Sequence, residues 1–167
     1  MLPDPAQCDI MQIDMSMALS DPKSPQARSG CPIHDLRGML RTAGLRPTRQ
    51  RVALGWLLFG KGDRHVTAES LHEEAQGARV PVSLATIYNT LHQFTAAGFL
   101  REVAVEGAKA YFDTNTGNHY HFYVEGEGRL LDVSEAEVTI GHLPEPPVGM
   151  EIVGVDVVMR LRVKQVA

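Results

Sequence analysis

The first thirty residues show no sustained hydrophobic period and hold four of the seven Met and four of the ten Pro. A stretch of that kind buries too little apolar surface to offset its ordering entropy, so residues 1–30 are expected to form an arm. The pattern then turns helical. From about His34 to Ala43 runs a basic amphipathic stretch that Gly44 stops as a helix C-cap would. A second helix is expected from Thr48, just after Pro47, through the apolar run Val52 to Phe59, closed by Gly60. It is apolar nearly all round and so belongs at the centre of the first domain. Thr67 can cap a third helix whose apolar face is Ala68, Leu71 and Ala75, with His72, Glu73 and Glu74 towards solvent. Pro81 forces an extended entry to a fourth, capped by Ser83, in which Leu84, Ile87, Leu91 and Phe94 recur at helical spacing. Its opposite face is Thr86, Asn89, Thr90 and Gln93, polar but uncharged, and Gly98 ends it.

The period changes to that of strands after Gly98. Residues 99–105 and 109–112, joined by Glu-Gly-Ala, read as a hairpin. Helices followed by a two-stranded hairpin are the order of a winged helix-turn-helix. Beyond Asp113, strands are expected over His121 to Val124, Leu130 to Val133 and the long run Glu151 to Val163, with a short helix near Ser134 to Ile140 and a Pro-rich loop, Pro144 to Pro147. The fold class expected is α+β: an arm over 1–30, a winged helix-turn-helix over 31–113, and a small α/β dimerisation domain over 114–167. A unit of about 50 residues is marginal alone, and dimerisation would supply buried area.

Charge is unevenly distributed along the chain. The chain of 167 residues carries 16 Lys and Arg against 20 Asp and Glu, net −4, which at face value disfavours a nucleic-acid partner. Residues 34–101, however, hold nine basic and five acidic residues, and residues 102–167 hold five basic and eleven acidic. Arg37, Arg41, Arg46, Arg49 and Arg51 fall within fifteen residues containing no acid. The basic part therefore suits phosphate, and the short hydroxyl and amide side chains of the fourth helix suit base edges and thymine methyls in a major groove. Read alone, that helix face serves equally as a solvated surface; the hairpin and the arginine cluster shift the balance to DNA. Tyr88, at the edge of the apolar stripe, could be core or could lean out against a base. No apolar run approaches the length of a membrane span, so a cytoplasmic location is expected, with no membrane partner.

Three histidine or cysteine features remain. His119-Tyr120-His121 places two imidazoles on one side of a strand, where they can converge on one ion. Asp113 and Asp132 could add oxygen ligands, and His65, in the loop before the third helix, a further nitrogen; such a set suits zinc, ferrous iron or manganese. His72, His92 and His142 read as isolated surface histidines. The only cysteines, Cys8 and Cys31, allow neither a disulfide framework nor a four-thiolate zinc site within one chain. In Gly30-Cys31-Pro32-Ile33-His34-Asp35 the Cys-Pro pair projects a thiolate from a non-helical segment, where it can ligate ferric haem; by composition alone it reads as a small residue before a helix.

Taken in order, Thr48-Arg-Gln-Arg51, His65-Val-Thr-Ala-Glu69, Ser83-Leu-Ala-Thr-Ile-Tyr-Asn89 and the His119-Tyr-His121 strand resemble the ferric uptake regulator family of winged-helix metalloregulators. Leu45-Arg-Pro-Thr-Arg-Gln-Arg51, Leu54-Gly-Trp-Leu-Leu-Phe-Gly-Lys61, Phe112-Asp-Thr-Asn115, Leu143-Pro-Glu-Pro-Pro147 and Met150-Glu-Ile152 resemble, more narrowly, its iron response regulator branch; the likeness covers about residues 30–163. The resemblance implies a homodimer that binds an AT-rich double-stranded operator and one regulatory divalent metal per subunit at His65, Asp113, His119, His121 and Asp132. It implies a repressor of haem biosynthesis and iron-using genes under iron limitation, inactivated by haem. The Gly-Cys-Pro-x-His-Asp motif makes Cys31 a haem ligand on this reading, with His119 or His121 as further haem ligands. Where the family commonly has the Cys-x-x-Cys of a structural zinc, this chain has Val124 and Glu127, so that zinc is not expected. Arg49, Ser83, Thr86, Tyr88 and Asn89 are the expected DNA contacts, with Arg46 and Arg51 as phosphate or packing candidates, and no catalytic residue is assigned. Two alternatives stand beside this: a peroxide sensor of the same family, and a non-haem iron enzyme using two His and a carboxylate.

Overall fold

The computed structural model describes residues 35–105 and 109–164. Cys31 and His34, and the Glu-Gly-Ala turn of the hairpin, lie outside them. The element order is α1 (Leu36–Thr42), α2 (Arg49–Phe59), β1 (His65–Val66), α3 (Ala68–Gly77), α4 (Leu84–Ala96), β2 (Arg101–Val103), β3 (Tyr111–Asp113), β4 (His119–Val124), β5 (Arg129–Ser134), a 3-10 turn (Glu135–Glu137) and β6 (Val158–Leu161).

Each helix starts where a side chain can take up an orphan N–H. Asp35 accepts from Gly38, Thr48 from Arg51, Thr67 from Ser70 and Ser83 from Thr86. Thr67 and Ser70 form a reciprocal capping box. Just past the α4 cap at Ala97, Gly98 takes a φ of +72° that is cheap only without a Cβ, and this lets the Phe99 N–H reach back to the Phe94 carbonyl at 2.9 Å.

The four helices enclose one apolar core. Leu40, Leu54, Leu58, Leu71, Ile87, Leu91, Phe94 and Phe112 are fully buried there, each worth about 1.5–3 kcal/mol relative to exposure. Two expectations for α4 change. Leu84, the first residue of the helix, is 36% exposed, and burial begins only at Ile87, whereas Thr90 is buried and bonds the Thr86 carbonyl at 2.8 Å. The uncharged face is thus narrower than the sequence implies.

A three-stranded antiparallel sheet, in the order β1-β3-β2, takes β1 from between α2 and α3 and the other two strands from after α4. The two-residue β1 is too short to show a period, and pairing alone creates it. The second sheet, β5-β4-β6, joins β4 to β5 antiparallel and to β6 parallel. The helix expected near 134–140 is only the 3-10 turn, since the β-branched Val138-Thr139-Ile140 and Gly141 disfavour helix. The strand expected from Glu151 to Val163 is reduced to Val158–Leu161. Before it, Val148, Met150, Ile152 and Val153 stand exposed among the described residues, Val148 and Val153 almost wholly so. No described helix is long and apolar enough to cross a membrane.

Candidate metal centre and nucleic-acid interface

Strand pairing assembles a donor cluster between the two sheets. In the first, His65 of β1 is the cross-strand partner of Asp113 at the end of β3. In the second, His121 of β4 is the partner of Asp132 on β5, and His119, two residues earlier, points to the same side. These five residues each offer one atom to a group lying within 4.8 Å of one another. His119 Nε2 lies 2.8 Å and His121 Nε2 3.4 Å from Asp113 Oδ2, and His65 Nε2 lies 3.0 Å from Asp132 Oδ1. Asp113, His119 and His121 are buried, and Asp132 closes the solvent side with a side chain 41% exposed.

The protonation pattern favours a cation. His119 Nδ1 faces the Gly117 carbonyl oxygen at 2.9 Å. A carbonyl only accepts, so the neutral ring carries its proton on Nδ1 and turns a lone pair on Nε2 inward. That atom sits 3.0 Å from His121 Nε2, a distance at which it either accepts from an Nε2–H of His121 or shares an ion with it. His65 Nε2 is buried without a hydrogen bond; its approach to Asp132 has the distance but not the alignment of one. Burial by itself would raise the Asp113 carboxyl pKa, yet the bond from His121, the nearby His65 ring and the Asn115 N–H outweigh it and hold the group well below the ordinary carboxylate range. Two carboxylates and three neutral imidazoles balance one divalent ion, and this mixed nitrogen and oxygen set fits zinc, ferrous iron or manganese.

One arginine ties the sheets together beside the cluster. Arg101 of β2 donates to the His119 carbonyl at 3.2 Å and ion-pairs with Asp156 ahead of β6. Sequence reading passed it over, because its partners lie 18 and 55 positions away.

The expected DNA contacts divide into two groups. Arg46, Arg49, Ser83 and Asn89 are exposed and Thr86 is half-buried, with the Ser83 and Thr86 hydroxyls 2.9 Å apart at the start of α4. Arg51 instead turns inward: Nε and Nη2 donate to Gln93 Oε1 at 3.0 and 2.7 Å, and Nη1 donates to the Arg46 carbonyl at 2.8 Å. Of the two roles left open for Arg51, packing is the one its contacts fill. The same bonds remove Gln93 from the free polar face. Tyr88 packs at the core edge and donates its hydroxyl to Glu69 Oε1 at 2.8 Å. His72, His92 and His142 take no part in the donor cluster.

Comparison with known proteins agrees with this architecture. The model of the ferric uptake regulator family matches residues 42–152. The peroxide-responsive repressor PerR of Staphylococcus epidermidis is 35% identical over 124 residues, covering 70% of this chain and 82% of its own. The ferric uptake regulator from Pseudomonas aeruginosa, solved with manganese, is 28% identical with a TM-score of 0.60, covering 77% of this chain and 98% of that one. The Campylobacter jejuni peroxide stress regulator, at 21% identity and a TM-score of 0.51, shares the fold. With the family model matched over well more than half its length, this chain belongs to the ferric uptake regulator family.

Proposed function

We propose that the protein is a metal-dependent, DNA-binding transcriptional repressor whose regulatory ion is held by His65, Asp113, His119, His121 and Asp132. The observation that carries this is the placement of those donors: two on the β1-β3-β2 sheet and three on the β5-β4-β6 sheet. An ion there would add electrostatic attraction between the sheets and so bias the angle at which α4 is presented, a change in operator affinity being the readout. Arg46 and Arg49 would take phosphate, and Ser83, Thr86, Tyr88 and Asn89 would meet base edges. A homodimer formed over the exposed 148–153 strip would set the spacing of two half-sites. The relatives are named as regulators and repressors, so the enzyme reading is set aside and the location taken is cytoplasmic.

Within that role we assign the chain to iron and haem homeostasis, with haem as the inactivating signal received at Cys31 and at His119 or His121. The Gly30-to-Asp35 motif supports this assignment. Genome-wide mapping of bound sites in iron-replete and iron-starved cells tests it: occupancy at haem-biosynthesis and iron-using genes should rise on starvation. Cys31→Ala should alter the haem absorption spectrum and weaken haem-induced release from DNA, and unchanged behaviour in both removes Cys31 from the mechanism. A peroxide-sensing role has its own support in the 35% identity to peroxide-responsive repressors. Treatment of the iron-loaded, haem-free protein with peroxide decides for that role if mass spectrometry finds one oxygen atom added to His65 or His119 together with loss of operator binding.

A further inference from the structure

We propose that Glu69 is a positioning residue for DNA reading: by accepting the one hydrogen bond that the Tyr88 hydroxyl can donate, it fixes the ring on α4 and limits what Tyr88 can offer a base. The inference rests on the DNA-binding reading above. Glu69 is the second residue of α3, and its Oε1 accepts from Tyr88 Oη at 2.8 Å. Its Oε2 is buried without a hydrogen bond, and Lys109, ahead of β3, stands 3.5 Å away as an ion-pair partner without hydrogen-bond alignment. One carboxylate thus joins α3, the reading helix and the hairpin. The Tyr88 ring is backed on its own helix by the His92 ring, with centroids 6.4 Å apart and planes at 23°. His92 in turn meets the edge of Phe112, the residue before Asp113.

The protonation states are unambiguous. The bond holds the Glu69 carboxyl below its ordinary range and pushes the Tyr88 phenol up, so at neutral pH a neutral phenol donates to a carboxylate. A phenol has one proton to give. With that proton spent, Tyr88 presents ring carbons and an acceptor oxygen to the groove. It can pack on a thymine methyl or accept from an amino group, but cannot donate to guanine O6 or N7. A carboxylate beside a phosphate-binding face also repels DNA, so an anchoring role gives a reason for its presence that solvation alone does not.

The test uses the full-length, metal-loaded protein and an operator found by genomic mapping, with each thymine replaced in turn by uracil to remove its methyl group. Wild type should show at least one thymine whose demethylation weakens binding about fourfold, the worth of one buried methyl. Tyr88→Ala should erase that sensitivity and Tyr88→Phe keep part of it. Glu69→Ala should bring it towards onefold while binding to unrelated duplex holds or rises, because an acid is lost. Glu69→Gln, whose amide oxygen still accepts, should restore it. Full methyl sensitivity in Glu69→Ala, or in Tyr88→Ala, overturns the inference and leaves the DNA-binding reading intact. Equal weakening of specific and unrelated duplex in Glu69→Ala also overturns it. Absence of sequence-specific binding by wild type removes the reading itself.

Discussion

Asp113 carries the most consequence for a single side chain. It is fully buried, touches all three cluster histidines, and fixes the turn that follows through the Asn115 N–H at 2.8 Å. Asp113→Asn keeps the shape and removes the charge, so affinity for zinc or manganese should drop by at least about tenfold in competition with a chromophoric chelator; unchanged affinity would show that Asp113 is not a ligand. Metal binding should also weaken in acid, because protons compete with the ion for the same donor atoms. In the metal-free protein the sign for Asp113 itself follows from its depressed pKa. Its stabilisation is fully present above the unfolded value near 3.8 and is lost as pH falls through the lower folded value. An acid titration followed by circular dichroism checks this, with Asp113→Asn removing that part of the acid dependence.

At the scale of elements, α2 decides how α4 is presented. Arg49 and Arg51 are two residues apart and face different tasks. Arg51 bonds Gln93 and the Arg46 carbonyl, so Arg51→Ala should cost about 1–3 kcal/mol in urea unfolding. Arg49 is exposed at the start of α2, so Arg49→Ala should leave stability within about 0.5 kcal/mol. It should lower DNA affinity and reduce the slope of log K against log salt by about 1. Identical effects of the two variants on stability and salt slope would refute this division. The α1–α2 contact has a similarly local cause. Gly55 is buried, and a Cβ there would sit 2.6 Å from Leu36 Cδ2. Gly55→Ala should therefore overpack the junction by about 1–3 kcal/mol, read as a lowered denaturation midpoint. The four helices were legible because their caps and apolar stripes are local. The two-residue β1 was not, since it hangs on a partner nearly fifty residues away, and the helix expected near 134–140 ran too long across the β-branched run that follows the 3-10 turn.

For the molecule as a whole, the unequal distribution of charge and exposed apolar surface assigns different work to its two parts. Val148, Met150, Ile152 and Val153 lie side by side in sequence and exposed. Wild type should sediment as a dimer, and Val153→Glu should shift it towards monomer at micromolar concentration and weaken operator binding. A dimer undisturbed by that charge would place the interface elsewhere. Arg101 bridges the two sheets by hydrogen bond and ion pair without any metal, so the angle between them is already restricted before an ion arrives. Metal would then select among few arrangements rather than assemble the molecule.

By itself the sequence determined the helices, the partition of charge and the residue types of the donor cluster, because capping, amphipathic period and the i, i+2 alternation of a strand act over a few residues. It also pointed to the family through motifs spread along the chain. Tertiary structure alone decided the pairings that give those residues their meaning. His65 meets Asp113 only because β1 pairs with β3, and Arg51 becomes a packing residue only because Gln93 faces it. Tyr88 donates its hydrogen bond to Glu69, nineteen positions back, only because α3 and α4 pack together there. Contacts between distant segments depend on how whole elements dock to bury apolar area, and no local period encodes that docking.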